Sequence, residues 1–152
     1  MLQAYWVIFA AAIWVAVLAL VPRERIAWLL PLGVVGALFA VAAQLLGVIV
    51  FELWSFSAPP LPMAGIPLLL VLAWMGEAIL FGHFLPPLSW TLAGYILAFA
   101  TGITLIETAF VRLEMMDHLR WNSSLTFLVA LVGHIVLAAY HLLTGERREV
   151  RS

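Results

Sequence analysis

Five apolar stretches, Leu2–Val21, Ile26–Phe51, Ile66–Phe84, Leu88–Val111 and Leu125–Leu143, fill most of the chain, and short polar or proline-rich breaks separate them. A helix needs about 20 mostly apolar residues to cross roughly 30 Å of hydrocarbon, so each stretch predicts a membrane span. Runs of this length satisfy their backbone internally only as helices, which argues against strands. The expected architecture is all-α: one polytopic bundle of five transmembrane helices covering residues 1–152, with no soluble domain. The start of the first run, Met1-Leu2-Gln3-Ala4, lacks the positive charge of a signal peptide and predicts a retained helix.

The breaks have their own chemistry. Pro31 and Pro67 fall near helix starts, where proline costs little. Pro86-Pro87 predicts a sharp hairpin between the third and fourth spans. Ala58-Pro59-Pro60-Leu61-Pro62 predicts a stiff loop, which with Trp54, Phe56 and Leu61 would lie on the membrane surface or over the bundle. Asn122-Ser123-Ser124 directly abuts the last run and reads as its helix cap rather than as a glycosylation site. Small residues recur at four-residue spacing in Gly94, Ala98 and Gly102 on the fourth span. They do so again in Gly33–Ala37, Gly36–Ala40 and Ala43–Gly47 on the second. Such spacing lets backbones approach, and it predicts that spans two and four pack together.

Composition supports the same class. Apolar residues make up 66% and charged residues 10% of the chain, against roughly 45–50% and about 25% in water-soluble domains. A formal charge of −1 argues against nucleic-acid binding, and zero Cys removes disulfides, thiolate metal sites and cysteine nucleophiles. Arg23, Arg25, Arg147, Arg148 and Arg151 fall on one side of a five-span bundle, and Arg112 and Arg120 on the other. The positive-inside rule then predicts a cell-membrane protein with its amino terminus outside and its carboxyl terminus cytoplasmic. Trp28 and Trp90 would mark the inner interface, and Tyr5-Trp6, Trp54 and Trp121 the outer one. Trp14 and Trp74 sit at mid-span as packing residues.

The few polar groups inside the runs are costly, so they direct attention to function. Glu77 lies eleven residues into the third span and His134 about as far into the fifth, which runs in the same direction, so both reach similar depth. His83 and His141 repeat this near the inner ends. Glu77 and His83 are about 120° apart on their helix, whereas His134 and His141 share a face to within about 20°. Glu77–His134 is therefore the better pair. It can lock two helices by a hydrogen bond, or hold and pass a proton. His134 and His141 lie about 10 Å apart along the axis, too far for one ion, and no zinc signature is present. No metal or other cofactor is expected; haem or metal at these histidines is the lesser reading. Gln44 is expected to make an interhelical hydrogen bond.

A second candidate site lies at the outer mouth, in Glu52, Glu107, Arg112, Glu114, Asp117, His118, Arg120 and Trp121. Glu114, Asp117 and His118 share one face if the fourth helix continues outward. The cluster reads as a solvated, salt-bridged helix end, or as a site for a polar head group or cation. Glu107 lies within an apolar run and needs a partner, for which Arg120 and Trp121 are the candidates.

Phe51-Glu52-Leu53-Trp54, Gly65-Ile66-Pro67, and Ile106-Glu107 followed by Trp121-Asn122 resemble a family of small uncharacterised integral membrane proteins of spore-forming Firmicutes. The resemblance implies a membrane protein of this size with Glu107 and Trp121 of interest, and it carries over no established activity. The leading expectation is a non-catalytic accessory or small-ligand-binding membrane subunit. Its partners would be the lipid bilayer and a second copy or larger membrane protein, since five helices make a thin bundle. The alternatives are a proton- or ion-coupled carrier using Glu77 and His134, and an intramembrane enzyme acting on a lipid or isoprenoid near Glu107. No nucleotide-binding glycine motif, serine-hydrolase elbow or intramembrane Asp pair is present.

Overall fold

The computed structural model describes residues 2–59, 61–87 and 89–149. Pro60, Leu88 and Arg151, and the side chains of Arg147 and Arg148, lie outside the described residues. Five helices form the bundle: α1 (Leu2–Leu20), α2 (Arg23–Gln44), α3 (Leu68–His83), α4 (Trp90–Arg112) and α5 (Ser123–Glu149). A π-helical turn, Leu45–Val50, carries α2 onward without a break. Four of these helices are long and apolar enough to cross a membrane, α2 together with its π turn among them. The third expected span is shorter. Ile66 and Pro67 are taken up in a strand, which leaves α3 with 16 residues, or about 24 Å of helix.

The all-α expectation also needs correction at one end. Two antiparallel ribbons lie there. One pairs β1 (Trp54–Phe56) with β4 (Met116–His118), and the other pairs β2 (Pro62–Met63) with β3 (Ile66–Pro67). The α4 helix stops at Arg112, and Glu114 turns the chain with φ 57°, in the left-handed region. Beyond that turn the period changes from 3.6 to 2: Met116 is buried, Asp117 exposed and His118 half-buried. Glu114, Asp117 and His118 therefore do not share a helical face. The first ribbon closes the bundle's end, helped by the Ser57 N–H donating to the Met115 carbonyl and the Arg120 N–H to that of Leu53, both at 2.9 Å.

Within the bundle α3 is central, packed on α1 and α2 and touching α5, while α4 packs on α5. The expected close approach of α2 to α4 is not what the helices make. Gly33 and Gly36 face α3, and a Cβ on Gly36 would lie 2.5 Å from the Ala78 Cβ. Gly94 and Gly102 have nothing within 4 Å of such a Cβ. The buried stripe of α4 runs through Leu92, Ile96, Ala100, Ile103, Glu107 and Phe110, and it leaves Gly94 and Ala98 off that face.

Two expected interface tryptophans are interior residues. Trp6 and Trp54 are buried at the ribbon end, where the Trp6 ring meets Phe56 and Phe110 edge-on. Trp14 donates from Nε1 to the Leu72 carbonyl at 3.0 Å. The cap at the start of α5 forms as read: Asn122 Oδ1 accepts from the Leu125 N–H at 3.1 Å. Asn122→Ala should lower stability by about 1 kcal/mol, measured as a shift in thermal unfolding of the detergent-solubilised protein. An unchanged midpoint would show that the cap contributes nothing.

Candidate functional site: a cavity between two carboxylate–histidine pairs

Glu77 and His134 meet. His134 Nε2 lies 2.9 Å from Glu77 Oε1, and its Nδ1 lies 2.7 Å from the Ala130 carbonyl one turn back on α5. A carbonyl only accepts, so Nδ1 carries a proton and donates it. The Nε2–Oε1 contact then needs one further proton, held by either the ring or the carboxyl. With that single proton the pair is neutral overall, the form that burial favours. Both groups are buried, with His134 2% and Glu77 8% exposed. The His134 ring packs edge-on against Phe81 at 4.9 Å and beside Phe99 at 5.6 Å. The Tyr95 hydroxyl donates to the Phe81 carbonyl at 2.9 Å. These aromatic rings close the site on the side away from the ribbons.

Glu107 has a different pair of partners from those expected. Its Oε1 contacts His118 Nε2 and accepts from the Thr126 hydroxyl at 2.7 Å. Trp121 acts one step removed, donating from Nε1 to Thr126 Oγ1 at 2.7 Å. Arg120 turns outward to Glu52, 3.9 Å away with both side chains 71% exposed, a surface pair that contributes little. Glu107 Oε2 is buried with no hydrogen-bond partner among the described residues. His118 reaches Glu107 because β4 turns its alternate side chains inward, a placement that the helical reading of this segment missed.

Both carboxylates line one cavity of about 130 Å³. All five helices contribute to its wall in helical stripes: Phe9 and Ile13 from α1; Gly36, Phe39, Ala40 and Ala43 from α2; Leu70, Ala73, Trp74 and Glu77 from α3. Ile103, Ile106, Glu107 and Phe110 follow from α4, and Thr126, Val129, Ala130, Gly133, His134 and Leu137 from α5. The spacing i, i+3, i+4, i+7 turns one face of each helix inward. Trp54, Phe56, Met116 and Trp121 cover the ribbon end. Thr126 touches Glu107, and His134 touches Glu77. Eight residues of α5 therefore set the two polar sites about 12 Å apart along the cavity.

The remaining expected site residues are scattered. Arg112, Glu114 and Asp117 are exposed, and Asp117 accepts from the Ser57 hydroxyl at 3.3 Å. His83 accepts from Arg25 at 3.4 Å, and His141 packs edge-on against Trp28 at 5.2 Å. Neither belongs to the cavity wall. Gln44 Oε1 accepts from Trp54 Nε1 at 2.9 Å, which ties α2 to the ribbon rather than to another helix. Thr126 went unnoticed in the sequence, although it stands four and eight residues before Ala130 and His134 and so falls on their face. No group of three His, Asp or Glu among the described residues is placed to hold a metal ion. No protein-family model matches the chain, and neither a curated protein nor a solved structure matches it.

Proposed function

We propose that this chain is a multi-pass integral membrane protein that binds a small, mostly apolar molecule inside its helical bundle. The amino terminus lies outside and the carboxyl terminus in the cytoplasm, so the ribbon end faces out. The single observation behind this reading is that two acids far apart in sequence, Glu77 and Glu107, line one largely apolar cavity. A mostly apolar wall with a few convergent polar groups is the usual make-up of a small-molecule site. The volume suits a ligand of about one aromatic ring, since an engineered cavity of roughly 150 Å³ takes up benzene. Exposed Val7, Ile8, Val15 and Leu18 on α1 would meet acyl chains or a second membrane protein.

The test is saturable uptake of fluorobenzene by the protein in lipid nanodiscs, followed by fluorine NMR. Ala43→Phe, which sends a ring into the cavity, should remove the saturable component and leave partitioning into lipid unchanged. Identical titrations for the variant and the parent would end this reading.

A second reading rests on a separate observation: each buried carboxylate contacts an imidazole, the arrangement of a proton relay. If the pairs pass protons, Glu77→Gln in proteoliposomes should abolish proton flux while folding is retained. Equal flux would exclude it.

A further inference from the structure

The end of the bundle opposite the ribbons carries a basic patch built from three helices. There α2 begins at Arg23, α3 ends at His83, and the last turns of α5 carry His141. Arg25 and Trp28, three residues apart, are neighbours on the surface of α2. Arg25 Nη1 lies 3.4 Å from His83 Nδ1, and the Trp28 ring meets that of His141 edge-on at 5.2 Å. Gly82, next to His83, gives His141 its seat: a Cβ there would lie 3.4 Å from His141 Nδ1. The Arg25 charge acts on both imidazoles.

Donors outnumber acceptors in this patch. A guanidinium only donates, so His83 Nδ1 accepts from Arg25 and Nε2 carries the ring proton. That N–H has no partner among the described residues, and the His141 ring, packed on Trp28, makes no hydrogen bond there either. None of these nitrogens is among the buried polar atoms that lack a partner, so they stay accessible from outside. Arg25 is itself exposed, and it forms no ion pair with a carboxylate among the described residues. Glu24, the adjacent acid, is turned about 100° away round the helix.

We infer that Arg25, His83 and His141 form a site for a phosphate bearing net negative charge, the group that an acidic phospholipid and free phosphate share. The guanidinium fork donates two parallel N–H bonds to two phosphate oxygens. A tetrahedral oxyanion keeps further oxygens for the N–H groups on α3 and α5. A carboxylate offers two oxygens in one plane, which suit the fork but not donors on two other helices. Under the membrane placement proposed above, this end lies among the cytoplasmic head groups, where basic pockets between helices take acidic lipids. The cavity plays no part, so the inference is independent of any guest inside the bundle.

The full chain in a neutral detergent is titrated with phosphatidylglycerol, phosphatidylcholine and inorganic phosphate, and retained adducts are counted by native mass spectrometry. Phosphatidylglycerol should bind about tenfold tighter than phosphatidylcholine, the low end for one hydrogen bond to a charged group. Arg25→Gln should remove that preference, and His83→Phe should reduce it. Arg25→Lys should keep only part of it, because a point charge lacks the fork. Arg23→Gln is the control: Arg23 is exposed and lies on the far side of α2 from Arg25, so the preference should survive. An inorganic phosphate adduct that Arg25→Gln removes, with no preference between the lipids, identifies free phosphate as the occupant. Equal losses in Arg23→Gln and Arg25→Gln would mean diffuse charge attraction and overturn the site. A preference that survives Arg25→Gln overturns it too, as does the absence of both a lipid preference and a phosphate adduct. Each of these results leaves the cavity reading standing, because fluorobenzene uptake is measured separately.

Discussion

His134→Leu should destabilise the bundle by about 2–3 kcal/mol, and adding Glu77→Leu should restore most of that loss. The imidazole is 2% exposed and Glu77 8%, so removing either group strands the other without water. A lone buried Glu77 would remain without its hydrogen-bond partner. A lone His134 would keep its Nδ1 bond to Ala130 and lose the other. With both replaced by leucine, no stranded group remains, and the apolar side chains suit walls already built from Phe81, Phe99 and Leu137. Glu77→Gln should have the mildest effect, because its amide can donate to Nε2. Unfolding titrations of the two single variants and the double variant form a thermodynamic cycle. Additive costs would mean that the two groups do not interact. The cycle reads the structural share of the pair alone, so it is independent of any flux or binding assay.

Gly36→Val should cost about 3 kcal/mol, whereas Gly102→Ala should be neutral or stabilise by up to about 1 kcal/mol. Both glycines belong to runs with the same four-residue spacing, and only their surroundings differ. A Cβ on Gly36 meets the Ala78 Cβ at 2.5 Å and the Trp74 carbonyl at 3.3 Å. One of those neighbours is backbone, so relief requires α2 and α3 to move apart. The same atom on Gly102 meets nothing within 4 Å, so replacement there only lowers the freedom of the unfolded chain. Thermal unfolding of the two variants in one detergent decides the matter. A loss at Gly102 equal to that at Gly36 would place a packing partner on the open face of α4.

This contrast explains part of what the sequence could reveal. Span length is a property of consecutive residues, so the long apolar helices were readable directly. The common depth of Glu77 and His134 was also readable, because helical rise is metric and the two helices run in the same direction, whereas their contact is a finding of the structure. Small-residue spacing is weaker information: it marks a face that can be approached without naming the neighbour, and α3 rather than α4 came to lie against Gly33 and Gly36. The partner of Glu107 was hidden by a change of period. No glycine or proline marks the turn at Glu114, so helical spacing extends in the sequence across a segment that folds as a strand and puts His118 on a solvated helix face with Glu114 and Asp117. The short α3 was obscured likewise, because Ile66 and Pro67 are apolar whether they start a helix or pair with Met63 and Pro62. The cavity itself lies in the space between five stripes, and no single stretch encodes it.

Under the proposed membrane placement, the single proton between His134 and Glu77 bears on how an energised membrane would act on this protein. A transmembrane voltage works on charge, at about 2.3 kcal/mol for each elementary charge carried through 100 mV. The pair has no net charge whether the proton sits on nitrogen or oxygen, and its hop between them crosses only a sliver of the field. A neutral guest entering beside it adds no charge either. Occupancy of the cavity would then follow the guest's concentration in the lipid and stay indifferent to whether the cell is polarised.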